Sequence, residues 1–441
     1  MSLLDRVSRA SASTPPENGR ARRSAAPPAP TAAPGPRPTP GRIPAQDAMD
    51  PLLVGVVLAL VAFGVVMVFS ASAIFAEEEF GDGMRLLVRQ SLFAAVAVPV
   101  MLLVARIDYR RFRPLTYVVL LGTVALLVLT LLVGRTAGGA TRWIRIGPVD
   151  IQAAEVAKLA LVMFLAHSLG KKADRITQFT IGVLPHLVVM AVLSGLCLLQ
   201  PDLGSALMLG MLTLILLFAA GAKLGPILGA VGGAVIATAG VILSSPWRMA
   251  RVEAFLDPFA HREGAGYQIV ESIVAFGSGG LTGVGLGDSR QKLFYLPEAH
   301  TDFIGAIVAE ELGFVGVMAL LAAFLVILWR GIRAALRAPD DYGSWLAIGA
   351  TSLVVLSAFF NLAVVMGLLP TKGLTLPFVS YGGSSLVVSA AAIGVVLSVG
   401  RARPLPGAAE TPAAPARDEQ GASEGPPQAK AAATNRRSKA A

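Results

Sequence analysis

Long apolar runs separated by short polar breaks recur from residue 51 to residue 400. A helix needs about 20 mainly apolar residues to cross a bilayer. Ten stretches come near that length: 51–76, 90–105, 115–134, 152–170, 179–199, 203–222, 225–244, 303–329, 345–369 and 376–400. Pro99 is expected to kink the second, and Gln200-Pro201-Asp202 breaks the fifth from the sixth. The pattern predicts an all-α polytopic bundle of about ten transmembrane helices over 51–400, with no internal repeat. One long loop, 246–301, separates the seventh span from the eighth.

An even number of spans places both termini on one side. Short loops on that side carry eleven Lys or Arg residues, against five on the other. The positive-inside bias then predicts cytoplasmic termini, with 246–301 outside. Residues 1–50 and 401–441 are rich in Pro, Ala and Arg, lack apolar content to bury a core, and are expected to be disordered cytoplasmic tails. The first of them has no apolar h-region, so it does not read as a signal peptide.

Composition agrees with a membrane protein: of 441 residues, 54% are hydrophobic and only 15% charged. The net charge of +9 does not argue for nucleic acid, because the basic residues flank apolar spans. The single cysteine, Cys197, lies in an apolar run, which excludes a disulfide framework or thiolate metal cluster.

Three outward segments carry polar groups that a bare scaffold does not need. The first, 138–158, holds Arg142 and Arg145 against the charge bias. Glu155 and Lys158 follow, three residues apart and so on one helix face, about one turn into the membrane. They pair with each other or face a cavity. The second is the long loop, with Arg251, a glycine-rich run from Gly277 to Gly287, and the stretch QKLFYLPEAHTDF holding Lys292, Glu298, His300 and Asp302. The glycines fit a phosphate cradle weakly, since no strand precedes them, and fit a flexible approach to the membrane equally well. The third, 367–385, breaks the helices with prolines and glycines and offers Lys372, Tyr381, Ser384 and Ser385. Irregular backbone at that depth must be buried in protein or line a wet cavity. Asp302 opens the eighth span, so its plain role is a helix N-cap; Thr301 is the alternative cap.

The runs LPEAHTDFIGAIVAEELGFVG, GLLPTKGLTLPFVSYGGSS and LQPDLGSAL closely resemble the SEDS (shape, elongation, division and sporulation) family of bacterial cell-envelope proteins. The TKGLTLP wording is nearer the family's division member than its elongation member. The resemblance spans about 51–400 and departs at QAAEVAKL, where the family has a proline and this chain has Ala153.

It implies a peptidoglycan glycosyltransferase at the outer face of the cytoplasmic membrane, polymerising lipid II at the division septum. It also implies a class B penicillin-binding protein and other division proteins as partners. Transferred residue by residue, it makes Asp302 the catalytic carboxylate, with Lys158, Glu155, Lys372 and Tyr381 on the same functional surface.

Inverting glycosyl transfer needs one carboxylate to take a hydroxyl proton and positive charge for the departing diphosphate. Arg142, Arg145, Lys158, Arg251 and Lys292 are the available cations, and a divalent cation, magnesium or manganese, is a candidate helper. Glu298, His300 and Ser384 complete the substrate-binding candidates. A lipid II flippase and a division scaffold acting only through partner binding are the alternative readings. The flippase fits less well, since few intramembrane charges occur: Glu155 and Lys158 near one end, Glu310 and Glu311 deeper.

Overall fold

The computed structural model describes residues 48–137, 140–147, 149–293, 295–371 and 373–402. Both tails therefore fall almost entirely outside the described residues. Among the described residues, nine helices are long and apolar enough to cross a membrane, and Leu203–Ala219 is a shorter apolar helix in the place of the sixth span. The chain is a multi-pass membrane protein.

The first seven helices in chain order are α1 (Pro51–Phe80), α2 (Arg85–Arg106), α3 (Thr116–Val133), α4 (Ala153–Lys172), α5 (Leu184–Leu199), α6 (Leu203–Ala219) and α7 (Leu224–Leu243). Then come α8 (Pro246–Leu256), α9 (Tyr267–Gly279), α10 (Ile304–Leu336), α11 (Asp341–Val365) and α12 (Gly383–Arg401). Ala153 opens α4 without a proline, and Pro99 sits inside an uninterrupted α2.

α12 packs along α2, α11 lies against both α4 and α10, and α1 against α2 and α10. α4 is the centre of the bundle: 83% of its apolar window is buried, against 6% for α7. Glu155 and Lys158 of α4 therefore meet protein rather than lipid, which is how intramembrane charge is tolerated. At one end of the bundle, Arg330 pairs with Asp50, the N-cap of α1, and the Tyr109 hydroxyl donates to Asp340 at 2.7 Å.

Two polar segments between the spans have more structure than their sequences predict. Three short strands, β1 (Arg135–Ala137), β2 (Ala140–Ile146) and β3 (Val149–Gln152), form an antiparallel meander in the order β1-β2-β3. The long loop contains α8 and α9, and α9 packs against α10 and α11.

The glycine-rich run is neither a flexible approach nor a phosphate cradle; it repairs a broken helix. α10 kinks at Gly313, whose φ is 64°. The kink frees carbonyls before it and amides after it, and residues 280–285 occupy those groups. The amides of Val284 and Gly285 donate to the carbonyls of Glu310 and Glu311 at 3.0 and 3.1 Å. The carbonyls of Gly280 and Leu281 accept from Phe314 and Val315, also at 3.0 and 3.1 Å. Backbone groups away from water must be paired, and only glycine lets two backbones approach so closely. A Cβ at Gly283 would collide with the Glu311 carbonyl, and one at Gly313 with the Gly283 amide.

Candidate functional site

Asp302 stands immediately before α10, yet it does not cap that helix. The cap position belongs to Phe303, without a side-chain cap bond. Thr301 does not cap either; its hydroxyl donates to the Glu298 carboxylate at 2.7 Å. A turn anchored on Glu298, whose carbonyl accepts from the amides of Thr301 and Phe303, delivers Asp302. Its carboxyl is left for other work.

That carboxyl meets Arg142 at Gly373. A methyl group placed on Gly373 would lie 3.2 Å from Asp302 Oδ2 and 3.7 Å from Arg142 Nη1. Gly373 is exposed, so the two charged groups meet at an open lip. Desolvation pushes the Asp302 pKa up to about 7, and Glu298 and Asp202 push the same way. Arg142 and Arg251 oppose them and lose. Burial thus offsets the cations, the condition for a carboxylate to act as a base near neutral pH.

Arg142 reaches the site because of strand geometry. Successive strand residues point to opposite faces, and Arg142 shares a face with buried Ile144. Its guanidinium donates to the carbonyls of Gln200 (3.4 Å from Nε) and Pro201. Arg145 is on the opposite face and forms a two-bond pair with its cross-strand neighbour Asp150, at 2.9 and 3.1 Å. Arg251, on α8, stands over the Trp247 ring at 5.2 Å. Partial burial and the charge of Arg142 lower its pKa, while Asp302 raises it, so these three groups share one electrostatic neighbourhood.

Other predicted residues are arranged around this centre or committed elsewhere. Lys158 and Glu155 form a buried pair at 2.6 Å within α4. Lys292 turns toward α10 and pairs with Glu311 at 3.3 Å, while Ser70 of α1 donates to the same carboxylate at 2.6 Å. Glu310 accepts from the Ser289 hydroxyl and from the amides of Arg290 and Gln291. The two deep glutamates therefore anchor the start of the segment that ends in Asp302. His300 lies between the rings of Phe75 and Tyr381, at 5.2 and 5.8 Å, and burial lowers its pKa. Tyr381 also donates its amide to the His300 carbonyl at 3.0 Å, and Ser384 accepts from the Gln152 amide at 3.3 Å. Lys372 lies outside the described residues.

Past the exposed Gly373, the irregular segment after α11 is largely buried in protein, with Leu374, Leu376, Phe378, Val379 and Ser380 all enclosed. Phe378 and Val379 run so close to mid-α1 that a Cβ on Gly64 would collide with the Phe378 carbonyl.

Three polar residues at the site carry no prediction from sequence. Asp202 caps α6 through the Ser205 amide at 3.0 Å and accepts from Gln152 at 3.2 Å. Gln200 donates to the Leu127 carbonyl at 2.9 Å. Asn361, in the middle of an apolar run, donates to the backbone carbonyls of Asp302 and Leu374 at 2.7 and 2.6 Å. The available signal is the isolation of these side chains: an amide within a span needs a partner. Among the described residues, no three His, Cys, Asp or Glu side chains gather as a metal-ligand set.

Comparison with known proteins matches this architecture. Residues 50–404 fit the family model of FtsW, RodA and SpoVE, described as cell cycle protein. The probable peptidoglycan glycosyltransferase FtsW of Geobacter metallireducens is 45% identical over 352 residues, 79% of this chain and 94% of that protein. Stage V sporulation protein E of Bacillus subtilis is 43% identical over 356 residues, 80% of this chain and 97% of that one. Among solved structures, one chain comes from a study of the structural coordination of polymerization and crosslinking by a peptidoglycan synthase complex. It shares 32% identity with a TM-score of 0.66, covering 80% of this chain and 98% of that one. The rod shape determining protein RodA of Thermus thermophilus shares 31% identity with a TM-score of 0.60, covering 80% and 97%.

Proposed function

The chain belongs to the FtsW, RodA and SpoVE family of cell cycle proteins, and from that membership we propose a peptidoglycan glycosyltransferase whose general base is Asp302. The observation that carries the assignment is the desolvated Asp302 carboxyl, with a pKa near 7, beside Arg142 at the open lip formed by Gly373.

The substrate is lipid II, a disaccharide-peptide on a lipid diphosphate, met at the outer face of the membrane. A sugar hydroxyl of one substrate attacks the anomeric carbon of another. The new C–O bond forms as the bond to the diphosphate breaks, with inversion at that carbon. Asp302 takes the hydroxyl proton, and lipid diphosphate leaves with the bonding electrons. Arg142, held rigid by the carbonyls of Gln200 and Pro201, and Arg251 are placed to balance the charge that develops on the diphosphate. A divalent cation, magnesium or manganese, would add charge neutralisation for the departing diphosphate.

Lys158 and Glu155 stabilise the core beneath the site as a buried pair. Removing one partner of such a pair leaves an uncompensated charge, at about 3–5 kcal/mol. A class B penicillin-binding protein that cross-links the strands is the proposed partner, and the division septum the proposed location.

The test is polymerisation of lipid II by the purified protein, alone and with the penicillin-binding protein. Wild type makes glycan strands, and Asp302→Asn loses at least about 100-fold in rate, at the lower end of what general-base removal costs. Polymerisation by Asp302→Asn at the wild-type rate removes the assignment. Transfer of lipid II across vesicle membranes without polymerisation would favour a flippase instead.

A further inference from the structure

We propose that Asn361 is a positioning residue for glycosyl transfer, its amide group locking the segment that delivers Asp302 to the irregular segment that carries Gly373. The proposal rests on the reading of Asp302 as the base.

Asn361 interrupts an apolar stretch of α11, Phe359-Phe360-Asn361-Leu362-Ala363, and only 1% of its surface is exposed. Both amide protons are used on backbone. One goes to the Asp302 carbonyl at 2.7 Å, the other to the Leu374 carbonyl at 2.6 Å. Leu374 directly follows Gly373, the point where the Asp302 carboxylate and the Arg142 guanidinium converge. One side chain thus spans both walls of the lip, one bond from each.

The oxygen of the same amide supports this reading. Asn361 Oδ1 is enclosed and has no hydrogen-bond partner. Gly305 of α10 packs beside it, since a Cβ there would lie 3.6 Å from the oxygen. An unpaired buried acceptor is unfavourable, and leucine would fill a similar volume without one. The asparagine is placed for its two donors. The orphan oxygen also fixes the orientation, because a flipped amide would set an oxygen against two carbonyl oxygens. The backbone on either side of the lip is irregular and lacks helix or sheet bonds of its own at Asp302 and Leu374, so this amide is the direct link between them.

The reacting carboxyl depends on that closure. Four charged groups face Asp302: Glu298 on its own turn, Asp202 from the break before α6, Arg142 from β2 and Arg251 from α8. Burial, however, is the leading cause of its raised pKa. Loosening the clamp admits water and moves the carboxyl toward its ordinary range, without touching any group that contacts substrate.

The experiment uses the full chain in nanodiscs with lipid II and the penicillin-binding protein, comparing Asn361→Leu, Asn361→Asp and Asp302→Asn. Both Asn361 variants are expected to lower kcat by about 100-fold, the scale of a 1 Å misplacement. KM should stay within about threefold of wild type, while the melting temperature should fall, since both variants leave the Asp302 and Leu374 carbonyls without their donor and Asn361→Asp keeps an acceptor beside them. The acid limb of the kcat profile should shift below pH 7. If both variants match wild type in kcat and pH profile while Asp302→Asn is inactive, the positioning role is wrong. If neither variant folds, Asn361 serves the fold and the proposal is likewise overturned. Activity in Asp302→Asn would instead remove the underlying base assignment, a result the other arms do not produce.

Discussion

At the scale of single residues, neighbours of the same type do different work because of where the backbone points them. Arg142 and Arg145 are indistinguishable as outward arginines in the sequence, but the strand that holds them sends one to Asp302 and the other to Asp150. Arg142→Gln should therefore lower lipid II polymerisation by at least about 10-fold, the scale of one charge-assisted contact. Arg145→Gln should leave the rate within about twofold, measured in the same assay. Asp302 adds a pH signature. Its base form predominates only above pH 7, so the rate should rise with pH through about 7 rather than through the ordinary carboxylate range near 4. The same shift has a stability cost of known sign. A carboxyl whose folded-state pKa is raised stabilises the fold at low pH, and that contribution is lost as pH rises from about 4 to 7. Asp302→Asn should thus melt higher than wild type at pH 8, on the order of 2 kcal/mol after allowing for partial solvent screening. The two proteins should converge only below about pH 4, where the carboxyl is protonated in both the folded and unfolded states, by thermal unfolding in detergent.

Among the elements, the glycine-rich run and the kink in α10 form one unit. The sequence shows a mainly apolar run from residue 303, interrupted only by Glu310 and Glu311 before Gly313, and a glycine-rich loop before it, and neither reveals that they share hydrogen bonds across the break at Gly313. Gly283→Ala should be destabilising by on the order of 3 kcal/mol, since it brings both a backbone collision and a positive φ of 83°. Gly287→Ala has a φ of 87° but nothing within 4 Å of the added carbon. It should lose only the conformational part, about 1 kcal/mol. Equal melting temperatures for the two variants would show that residues 280–285 do not bear on α10. The spans themselves were legible, because apolar length and flanking charge are local properties of the chain. The sheet of β1, β2 and β3 and the clamp at Asn361 were not. Short strands in a polar loop give little periodic signal, and a lone buried amide declares its need for partners without naming them. Asp302 itself was found through the motif around it, while the reason it can act as a base, burial exceeding two arginines, required the packing.

For the whole molecule, every group described around Asp302 comes from one end of the bundle: β2, the break at 200–202, α8, the top of α11 and the segment after it. The opposite end is closed by Arg330 with Asp50, Tyr109 with Asp340, and Arg401 donating to the Ala105 carbonyl at 2.9 Å. This polarity makes the reaction side testable without any enzyme assay. The excess of Lys and Arg in the short loops of the closed end predicts, by the positive-inside bias, that this end is cytoplasmic and that Asp302 faces outward. In a Cys197→Ala background, cysteines at exposed Glu79 and Arg145 should react with a membrane-impermeant maleimide in intact cells whose outer layers are permeable to it. Cysteines at exposed Lys171 and Arg337 should react only after the cytoplasmic membrane is opened. The reverse labelling would place Asp302 in the cytoplasm. There it could not build a strand outside the membrane, and the proposed polymerase would lose its substrate's side whatever the geometry of the carboxylate.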